Sequence, residues 1–225
     1  MEPLSEPKLI IAIDGPSGAG KGTLARSLAA QLRYRHIDTG AMYRAVAWKA
    51  LRHGVSLEDD GAVTAVAKSS TIRLDDGRVS IDEHDVTGAI RTPDIDRAAA
   101  AVARLAGVRH VLVAEQRRLG EDGGVVMEGR DIGTVVFPDA DLKIYLDAQP
   151  EERARRRAND PAHTGGRSGL AGVQSDLVAR DQTDSTRAVG PLAMAPDAVY
   201  LDTTGVPIEE VVERVLGMVA AKLRK

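Results

Sequence analysis

Nine consecutive residues near the amino terminus have the composition of a loop that binds phosphate. They are Gly15, Pro16, Ser17, Gly18, Ala19, Gly20, Lys21, Gly22 and Thr23. Glycines let successive backbone N–H groups point at one anion, and Lys21 adds a full positive charge for the outer phosphates. The sequence therefore predicts that this segment binds the phosphates of a nucleoside triphosphate.

The segments on either side of this loop support that interpretation. An apolar run at 9–13 precedes the loop, and leucine recurs at every fourth position from Leu24 to Leu32 after it. A strand, a glycine-rich turn and a helix are the context that a P-loop requires, and the helix adds its positive N-terminal end. The alternative, in which the glycines only shape a tight turn, leaves Lys21 and Thr23 without a role. The motif does not identify the acceptor of the phosphate.

Charged residues also follow a later apolar run, at the position where open α/β sheets bind ligands. The sequence Glu128-Gly129-Arg130-Asp131 comes directly after the apolar residues 125–127. Charges at the end of a buried strand are costly unless they meet one another or a ligand. We favour a ligand, because this strand end should face the P-loop, and an internal ion pair of Arg130 is the alternative.

The segment from Asp38 to Arg44 is a second candidate phosphate site. It places the hydroxyl of Thr39 before a glycine, and Arg44 follows about one helical turn later. This pattern suits phosphate binding and suits equally well a capped helix start with a solvated arginine.

Arginines cluster on two helix-like stretches in the last third of the chain. From 151 to 190 the chain has seven arginines, no lysine and six acids, so this is not a nucleic-acid-binding tail. Two sets share a helical face by their spacing: Arg153, Arg156 and Arg157, and Arg180, Asp184 and Arg187. A solvated face explains any single arginine better than a ligand does, whereas the group as a whole favours bidentate contact with phosphate.

Short apolar strands alternate with helical periodicity, which predicts a parallel sheet covered by helices on both faces. The predicted strands are 9–13, 125–127, 142–146 and 199–201, with a short additional strand at 36–38. Between 71 and 86 apolar and polar residues alternate around a turn, which predicts an antiparallel hairpin in an appended subdomain.

Three other segments complete the predicted organisation. A helical stretch runs from Pro93 to Leu119 with a break at Gly107, and leads back to the sheet. The segment 159–172 is rich in Gly, Ser and Pro and predicts a loop in a mobile flap. An apolar stripe from 208 to 223 predicts a final helix that packs on the sheet.

Composition limits the possible classes of protein. The chain has 225 residues, a formal charge of −3 and no cysteine, which excludes disulfides and thiolate chemistry. We expect a soluble, cytoplasmic monomer that binds neither nucleic acid nor membrane, because no basic field, secretion signal or long apolar run is present.

With these residues placed, the chain resembles the bacterial cytidylate kinases from Ile11 to the last helix. The most specific segments are the Gly-Lys-Gly-Thr ending of the P-loop, 38–44, 128–137 and 186–192. The resemblance implies an α/β P-loop NTPase-type fold in a single kinase domain. It implies a core (about 8–37, 121–150 and 188–225), a monophosphate-binding subdomain (about 38–120) containing the small antiparallel sheet, and an arginine-rich lid (about 151–187).

The resemblance also implies the reaction and the roles on the donor side. The reaction would be ATP-dependent phosphorylation of CMP and dCMP to their diphosphates, with Mg²⁺ bridging the ATP phosphates. Gly15 to Thr23 would bind ATP, with Lys21 on the transferring phosphate and Thr23 as the nearest protein contact to Mg²⁺. The lid arginines Arg153, Arg156 and Arg157 would close over ATP.

On the acceptor side, the resemblance implies contacts to the phosphate, the base and the sugar. Thr39, Arg44 and Arg130 would hold the acceptor phosphate, and Arg187 would lie near it. Arg109 and Asp131 would read the cytosine edge. Arg180 and Asp184 would contact the sugar. Lys21, Arg130 and Arg187 would be catalytic because they neutralise charge while the phosphoryl group passes.

One position departs from the family pattern. A serine that helps to contact the base is usual nine positions before Arg109, and this chain has Ala100 there. One missing neutral hydrogen bond, worth about 0.5–1.5 kcal/mol, predicts weaker discrimination against uracil rather than loss of activity. A kinase for another acceptor, such as UMP, AMP or a small metabolite, is an alternative, and a nucleotide-binding switch or interaction module is an alternative from another class.

Overall fold

A computed structural model describes residues 8–75, 77–160 and 169–224. Its strands are β1 (Ile10–Asp14), β2 (Arg35–Asp38), β3 (Ile72–Asp75), β4 (Arg78–Ile81), β5 (His84–Asp85), β6 (Val125–Glu128), β7 (Leu142–Asp147) and β8 (Val199–Asp202). Its helices are α1 (Lys21–Leu32), α2 (Thr39–Arg52), α3 (Asp60–Lys68), α4 (Pro93–Val102), α5 (Ala106–Gly120), α6 (Pro150–Ala158), α7 (Leu170–Thr186) and α8 (Ile208–Leu223). A short π-helical segment spans Ile132–Val136.

Five strands form a parallel sheet in the order β2-β6-β1-β7-β8, which confirms the predicted architecture. Ile11 and Ile13 of β1 pack among residues of α1 and α8 on one face. Ala12 of the same strand and Met127 of β6 pack on the opposite face, in a cluster with the π-helical segment. Because both faces are covered, the central strands read as continuous apolar runs.

The carboxyl ends of three adjacent strands bring acidic residues to one edge of this sheet. β1 ends at Asp14, β2 at Asp38 and β6 at Glu128, and Asp38 is in register with Glu128. The P-loop follows β1 at this same edge. The fold therefore assembles the candidate site where parallel sheets are expected to bind ligands.

The predicted hairpin is confirmed and is extended by a third short strand. β3, β4 and β5 form an antiparallel sheet, and Val79 and Ile81 of β4 are buried with residues of α2. Helices α2 to α5 share a further apolar cluster that includes Met42, Val63 and Val102.

The predicted helix break at Gly107 is wrong by a few residues. The chain breaks between α4 and α5, where Leu105 has extended backbone angles, and Gly107 lies inside α5. A β-carbon at position 107 would lie 3.0 Å from the Asp60 carboxylate of α3. Glycine is therefore present because α5 packs closely on α3, and it does not end the helix.

The predicted loop at 159–172 is also partly wrong. The amides of Gly172 and Val173 donate to the Gly169 carbonyl at 2.8 and 3.1 Å, so α7 begins at Leu170 and residues 170–172 are helical. Residues 161–168 of the predicted loop lie outside the described residues. The proposed division into core, monophosphate-binding subdomain and lid remains a prediction.

Candidate active site

A cleft of about 420 Å³ lies between the P-loop, α2, α4 and α7. Most of the residues singled out from the sequence line it: Ser17, Gly18, Gly20, Lys21, Gly22, Thr23, Thr39, Arg44, Arg109, Arg130, Asp131, Arg156, Arg157, Arg180, Asp184 and Arg187. Its lining carries ten cations against five acids, so it suits anionic ligands. Ala100 also lines the cleft, whereas Gly15, Pro16 and Arg153 are not among its lining residues and Ala19 lines a second cavity.

The P-loop wraps around the side chain of Lys21. The Lys21 ammonium donates to the Pro16 carbonyl at 2.7 Å and is buried. Burial, together with the nearby Arg130, lowers the pKa of Lys21 to about 7. Gly18 and Gly20 have φ of 79° and 97°, which are left-handed angles that favour glycine. The loop thus presents backbone donors and one cation whose charge depends on its surroundings.

Asp14, at the end of β1, holds the loop that carries Arg130 and Asp131. Its two carboxylate oxygens accept the amides of Ile132 and Gly133, each at 2.8 Å. Burial raises the pKa of Asp14 to about 6, although these two hydrogen bonds oppose the shift. The carboxylate therefore fixes the cleft-lining residues at 130 and 131 to the strand that precedes the P-loop.

Buried ion pairs join the cations of the acceptor side. Arg130 donates to Asp184 at 2.8 Å, and Arg187 lies 3.2 Å from Asp131 and 3.6 Å from Asp184. Arg109 pairs with the other oxygen of Asp131. Burial raises the pKa of Asp131, and the two arginines oppose that shift. The internal ion pair considered for Arg130 is therefore real, and its partner comes from α7.

Arg44 and Thr39 form another part of the same cleft. Arg44 donates to Asp38 at 2.8 Å, and Thr39 donates its hydroxyl to the Glu128 carbonyl at 2.7 Å. Burial alone would raise the pKa of Asp38, but Arg44 and His36 outweigh it and hold the pKa at about 2. Asp38 also accepts the amide of Ala41 at 3.0 Å, so this segment does begin with a capped helix, but Arg44 is paired and largely buried rather than solvated. Phosphate binding by this segment remains a prediction.

A sequence model of the family described as cytidylate kinase matches residues 11–221. The chain belongs to the cytidylate kinase family. It is 48% identical over 230 residues to a cytidylate kinase of Solibacter usitatus, covering 99% of this chain and 97% of that one. It is 51% identical over 213 residues to a cytidylate kinase of Desulfitobacterium hafniense, covering 93% and 92%.

A solved structure of shikimate kinase from Bacteroides thetaiotaomicron resembles this cytidylate kinase-family chain in fold. The TM-score is 0.51 at 14% identity, and the match covers 95% of this chain and 99% of the other. At that identity the likeness shows the P-loop kinase fold alone. Within the described residues, no helix is long and apolar enough to cross a membrane.

The three arginines assigned to the lid of this family member have different surroundings. Arg156 donates to the Ala19 carbonyl at 3.0 Å and to the Thr203 carbonyl at 2.7 Å, and it lines the cleft. Arg157 pairs with Asp96 of α4 across the cleft. Arg153 is buried behind the P-loop, where it donates to the Ser17 carbonyl at 3.0 Å.

A second cavity, of about 200 Å³, continues from the first. Gly20, Thr23 and Arg156 line both cavities. Leu146, Val206 and Ile208 give the second cavity an apolar wall. The two cavities together provide space for two ligands that meet at the P-loop.

Sequence reasoning missed some residues that shape this cleft. Tyr43 and Gln116 are buried beside Arg109, which donates to the Tyr43 hydroxyl at 3.3 Å. Arg26 and Arg91 also line the cleft. Helical spacing could have marked Tyr43, since it follows Thr39 by four residues on the same helix, whereas the sequence holds no comparable signal for Arg91.

Proposed function

We propose that the chain transfers the terminal phosphoryl group of ATP to the phosphate of CMP and dCMP. The observation that carries the proposal is that one cleft is lined both by the P-loop with Lys21 and by the arginines Arg44, Arg130 and Arg187. A donor and an acceptor phosphate could meet there between cations. Membership of the cytidylate kinase family supports the choice of acceptor.

On the donor side, the P-loop amides and Lys21 would bind the ATP phosphates, and the second cavity would receive the adenosine. Arg156, which lines both cavities, and Arg157 would lie over the bound phosphates. Anionic phosphates beside Lys21 would restore its positive charge, because they offset the burial that lowers its pKa.

On the acceptor side, Thr39, Arg44 and Arg130 would hold the phosphate of CMP, with Arg187 beside it. The Arg109–Asp131 pair would read the base, since it lines the cleft and offers both donors and an acceptor. Arg180 and Asp184 of α7 would contact the sugar.

Phosphoryl transfer requires little from the protein beyond positioning of the substrates and neutralisation of charge. The acceptor oxygen is already anionic, so no strong general base is needed. As the terminal phosphoryl group passes from ATP to the CMP phosphate and ADP leaves, Lys21, Arg130 and Arg187 would stabilise the charge that spreads over its oxygens. Exclusion of water from the cleft would prevent hydrolysis of ATP.

The residues around Thr23 fit a magnesium ion. Thr23 offers a hydroxyl, and the carboxylates of Glu128 and Asp38 line the same cleft. Oxygen ligands suit Mg²⁺, which keeps several waters and usually takes only one or two protein ligands along with phosphates. No group of three or more potential metal ligands occurs among the described residues, which fits a site completed by substrate and water. We propose that Thr23 contacts the ion, which would neutralise charge on the transferred phosphoryl group.

The test is ADP release from ATP and Mg²⁺ with CMP, dCMP, UMP, AMP or no acceptor. We expect rapid turnover with CMP and dCMP and little without an acceptor. Comparable rates with UMP or AMP would show that the proposed preference for CMP and dCMP as acceptors is wrong. Hydrolysis that does not depend on any acceptor would favour a nucleotide-binding switch instead. The cytoplasmic location and the monomeric state remain proposals, and size-exclusion chromatography with light scattering tests the second.

A further inference from the structure

An acidic residue of α7 accepts a hydrogen bond from a backbone amide of the P-loop. Asp181 accepts the amide of Ser17 through Oδ1 at 2.9 Å, although 164 positions separate the two residues. Its second oxygen pairs with the Arg153 guanidinium of α6. The P-loop is thus held by a side chain from a distant helix as well as by its own turn.

Arg153 contacts the main chain of the same residue, Ser17, through the next peptide group. One of its terminal nitrogens donates to the Ser17 carbonyl at 3.0 Å, and its Nε donates to the Ala148 carbonyl at 3.0 Å. A β-carbon at Gly18 would lie 2.9 Å from the Arg153 carbonyl, so the P-loop also packs directly on α6. We call the three residues Ser17, Arg153 and Asp181 the clasp.

The helix that supplies Asp181 also supplies cleft residues on the acceptor side. Arg180 precedes Asp181, Asp184 follows about one turn later, and Arg187 ends the helix. All three line the large cleft, and Asp184 is bonded to Arg130 at 2.8 Å. The position of α7 is therefore linked to the acceptor side through Asp184 and to the P-loop through Asp181.

We infer that Asp181 and Arg153 are positioning residues that couple the binding of the acceptor to the geometry of the P-loop. This inference rests on the proposed function. Contacts between CMP and α7 would fix Asp181 and, through it, the Ser17 peptide, so the P-loop would be ordered before ATP arrives. Such coupling is reciprocal, and each substrate strengthens the binding of the other by the same factor.

Charge and burial distinguish this contact from an ordinary surface ion pair. Ser17 and Arg153 are buried, and only 15% of the Asp181 side chain is exposed. A charge-assisted hydrogen bond in such surroundings has a defined geometry and is strongly coupled to its neighbours. Arg153, which is not among the residues that line the cleft, acts in this scheme through the P-loop and does not itself touch the phosphates.

The test measures binding of a non-hydrolysable ATP analogue, with Mg²⁺, in the presence and absence of saturating CMP. The ratio of the two affinities is the coupling factor, and wild type should give about 5-fold or more. Asp181→Asn keeps one oxygen for the Ser17 amide but loses the ion pair with Arg153. We expect it to bring the coupling factor close to 1 while CMP binding alone changes by less than about 3-fold.

Asp176→Asn is the matched control, because Asp176 is exposed on the same helix. It should leave the coupling factor at the wild-type value. Arg153→Lys is a second variant that keeps the charge but loses the planar guanidinium that joins Ser17, Ala148 and Asp181, and it should lower the coupling in the same way. Thermal melting of each variant shows whether it is folded.

The outcomes separate the inference from the proposed function. If wild type releases no ADP in response to CMP, the proposed function fails. If wild type phosphorylates CMP but its coupling factor is 1, or if Asp181→Asn and Arg153→Lys retain the wild-type factor, the coupling role is wrong. If the two residues had a purely structural role, their replacement would weaken binding of the ATP analogue equally with and without CMP. That result would also overturn the inference.

Discussion

The proposed donor side and the proposed acceptor side of the cleft are built in different ways. The donor side is one contiguous loop, 15–23, whose backbone geometry is set by the strand before it and the helix after it. The acceptor side draws Arg44 from α2, Arg109 from α5, Arg130 from the end of β6 and Arg187 from the end of α7. A local sequence motif therefore supplies the donor side, although Asp181 and Arg153 also hold it, whereas tertiary packing must assemble the whole of the acceptor side.

The charges of the two sides differ as well. Arg109, Arg130 and Arg187 on the acceptor side each lie beside Asp131 or Asp184. Lys21 on the donor side donates to a neutral carbonyl, and burial lowers its pKa to about 7. Carboxylates therefore balance the guanidinium charges on the acceptor side, while on the donor side the bound phosphates would complete the charge of Lys21.

Replacing Lys21 tests the donor side and should have the largest effect. Lys21→Met keeps the length of the side chain but removes the charge from the transferring phosphate. We expect the turnover number with CMP to fall about 1000-fold, which is the upper end for loss of one transition-state donor. The melting temperature should not fall, because burying the ammonium is unfavourable, as its lowered pKa shows. A variant that retained turnover within tenfold of wild type would refute the assigned role.

Replacing Arg130 tests the acceptor side and should have a smaller effect. Arg130→Ala removes one of several acceptor-side cations, so turnover with CMP should fall about 100-fold. Arg187, 3.6 Å from Asp184, still offsets the charge of the Asp184 carboxylate after Arg130 is removed, so the variant should stay folded. The matched control is Arg118→Ala, since Arg118 is exposed and pairs only with Glu115 among the contacts described for it. Turnover of Arg130→Ala near wild type would show that the acceptor phosphate binds elsewhere.

The same contrast explains what the sequence could predict. The P-loop, the strand ends and the faces of α6 and α7 are local patterns, and most of the residues that they mark line the cleft; Gly15, Pro16 and Arg153 do not, and Ala19 lines the second cavity. The binding roles of these residues stay predictions. The hairpin and the parallel sheet followed from hydrophobic periodicity.

The partners of those residues could not be predicted. Asp96 joins Arg157 and Arg180 across the cleft, and Asp181 joins Ser17 across 164 positions. An acidic residue on a helix has the same local pattern whether it faces water or a buried guanidinium, so only the packed fold distinguishes the two. Gly107 was misjudged for the same reason, since its role depends on how closely α5 packs on α3.

A change of pH separates the two sides without a mutation. With the pKa of Lys21 at about 7, raising the pH from 7 to 9 removes its proton in the free protein. Binding of the ATP analogue must then return the proton to Lys21, so the affinity of the protein for the analogue should fall roughly 50-fold between pH 7 and 9. Asp14, with a pKa of about 6, is already ionised there.

Isothermal titration in buffers of different ionisation enthalpy should show proton uptake when the ATP analogue binds at pH 8. The affinity for CMP should change much less between pH 7 and 9, because arginines would hold the CMP phosphate and do not titrate in this range. Lys21→Arg is the control, since its guanidinium does not titrate in this range. An ATP-analogue affinity that stayed constant from pH 7 to 9 would contradict the proposed dependence on Lys21.

The smallest expected effect concerns the apolar wall of the base site. Ala99, Ala100 and Ala103 line the cleft, so we expect a hydroxyl at position 100 to face a bound ligand. Ala100→Ser should increase the preference for CMP over UMP by about 2- to 10-fold, which is the value of one neutral hydrogen bond. The ratio of kcat/KM for the two acceptors measures this preference. Ala103→Ser is the matched control on the same wall, and an equal gain from both variants would mean that polarity of the wall, rather than a specific contact at position 100, sets the choice of base.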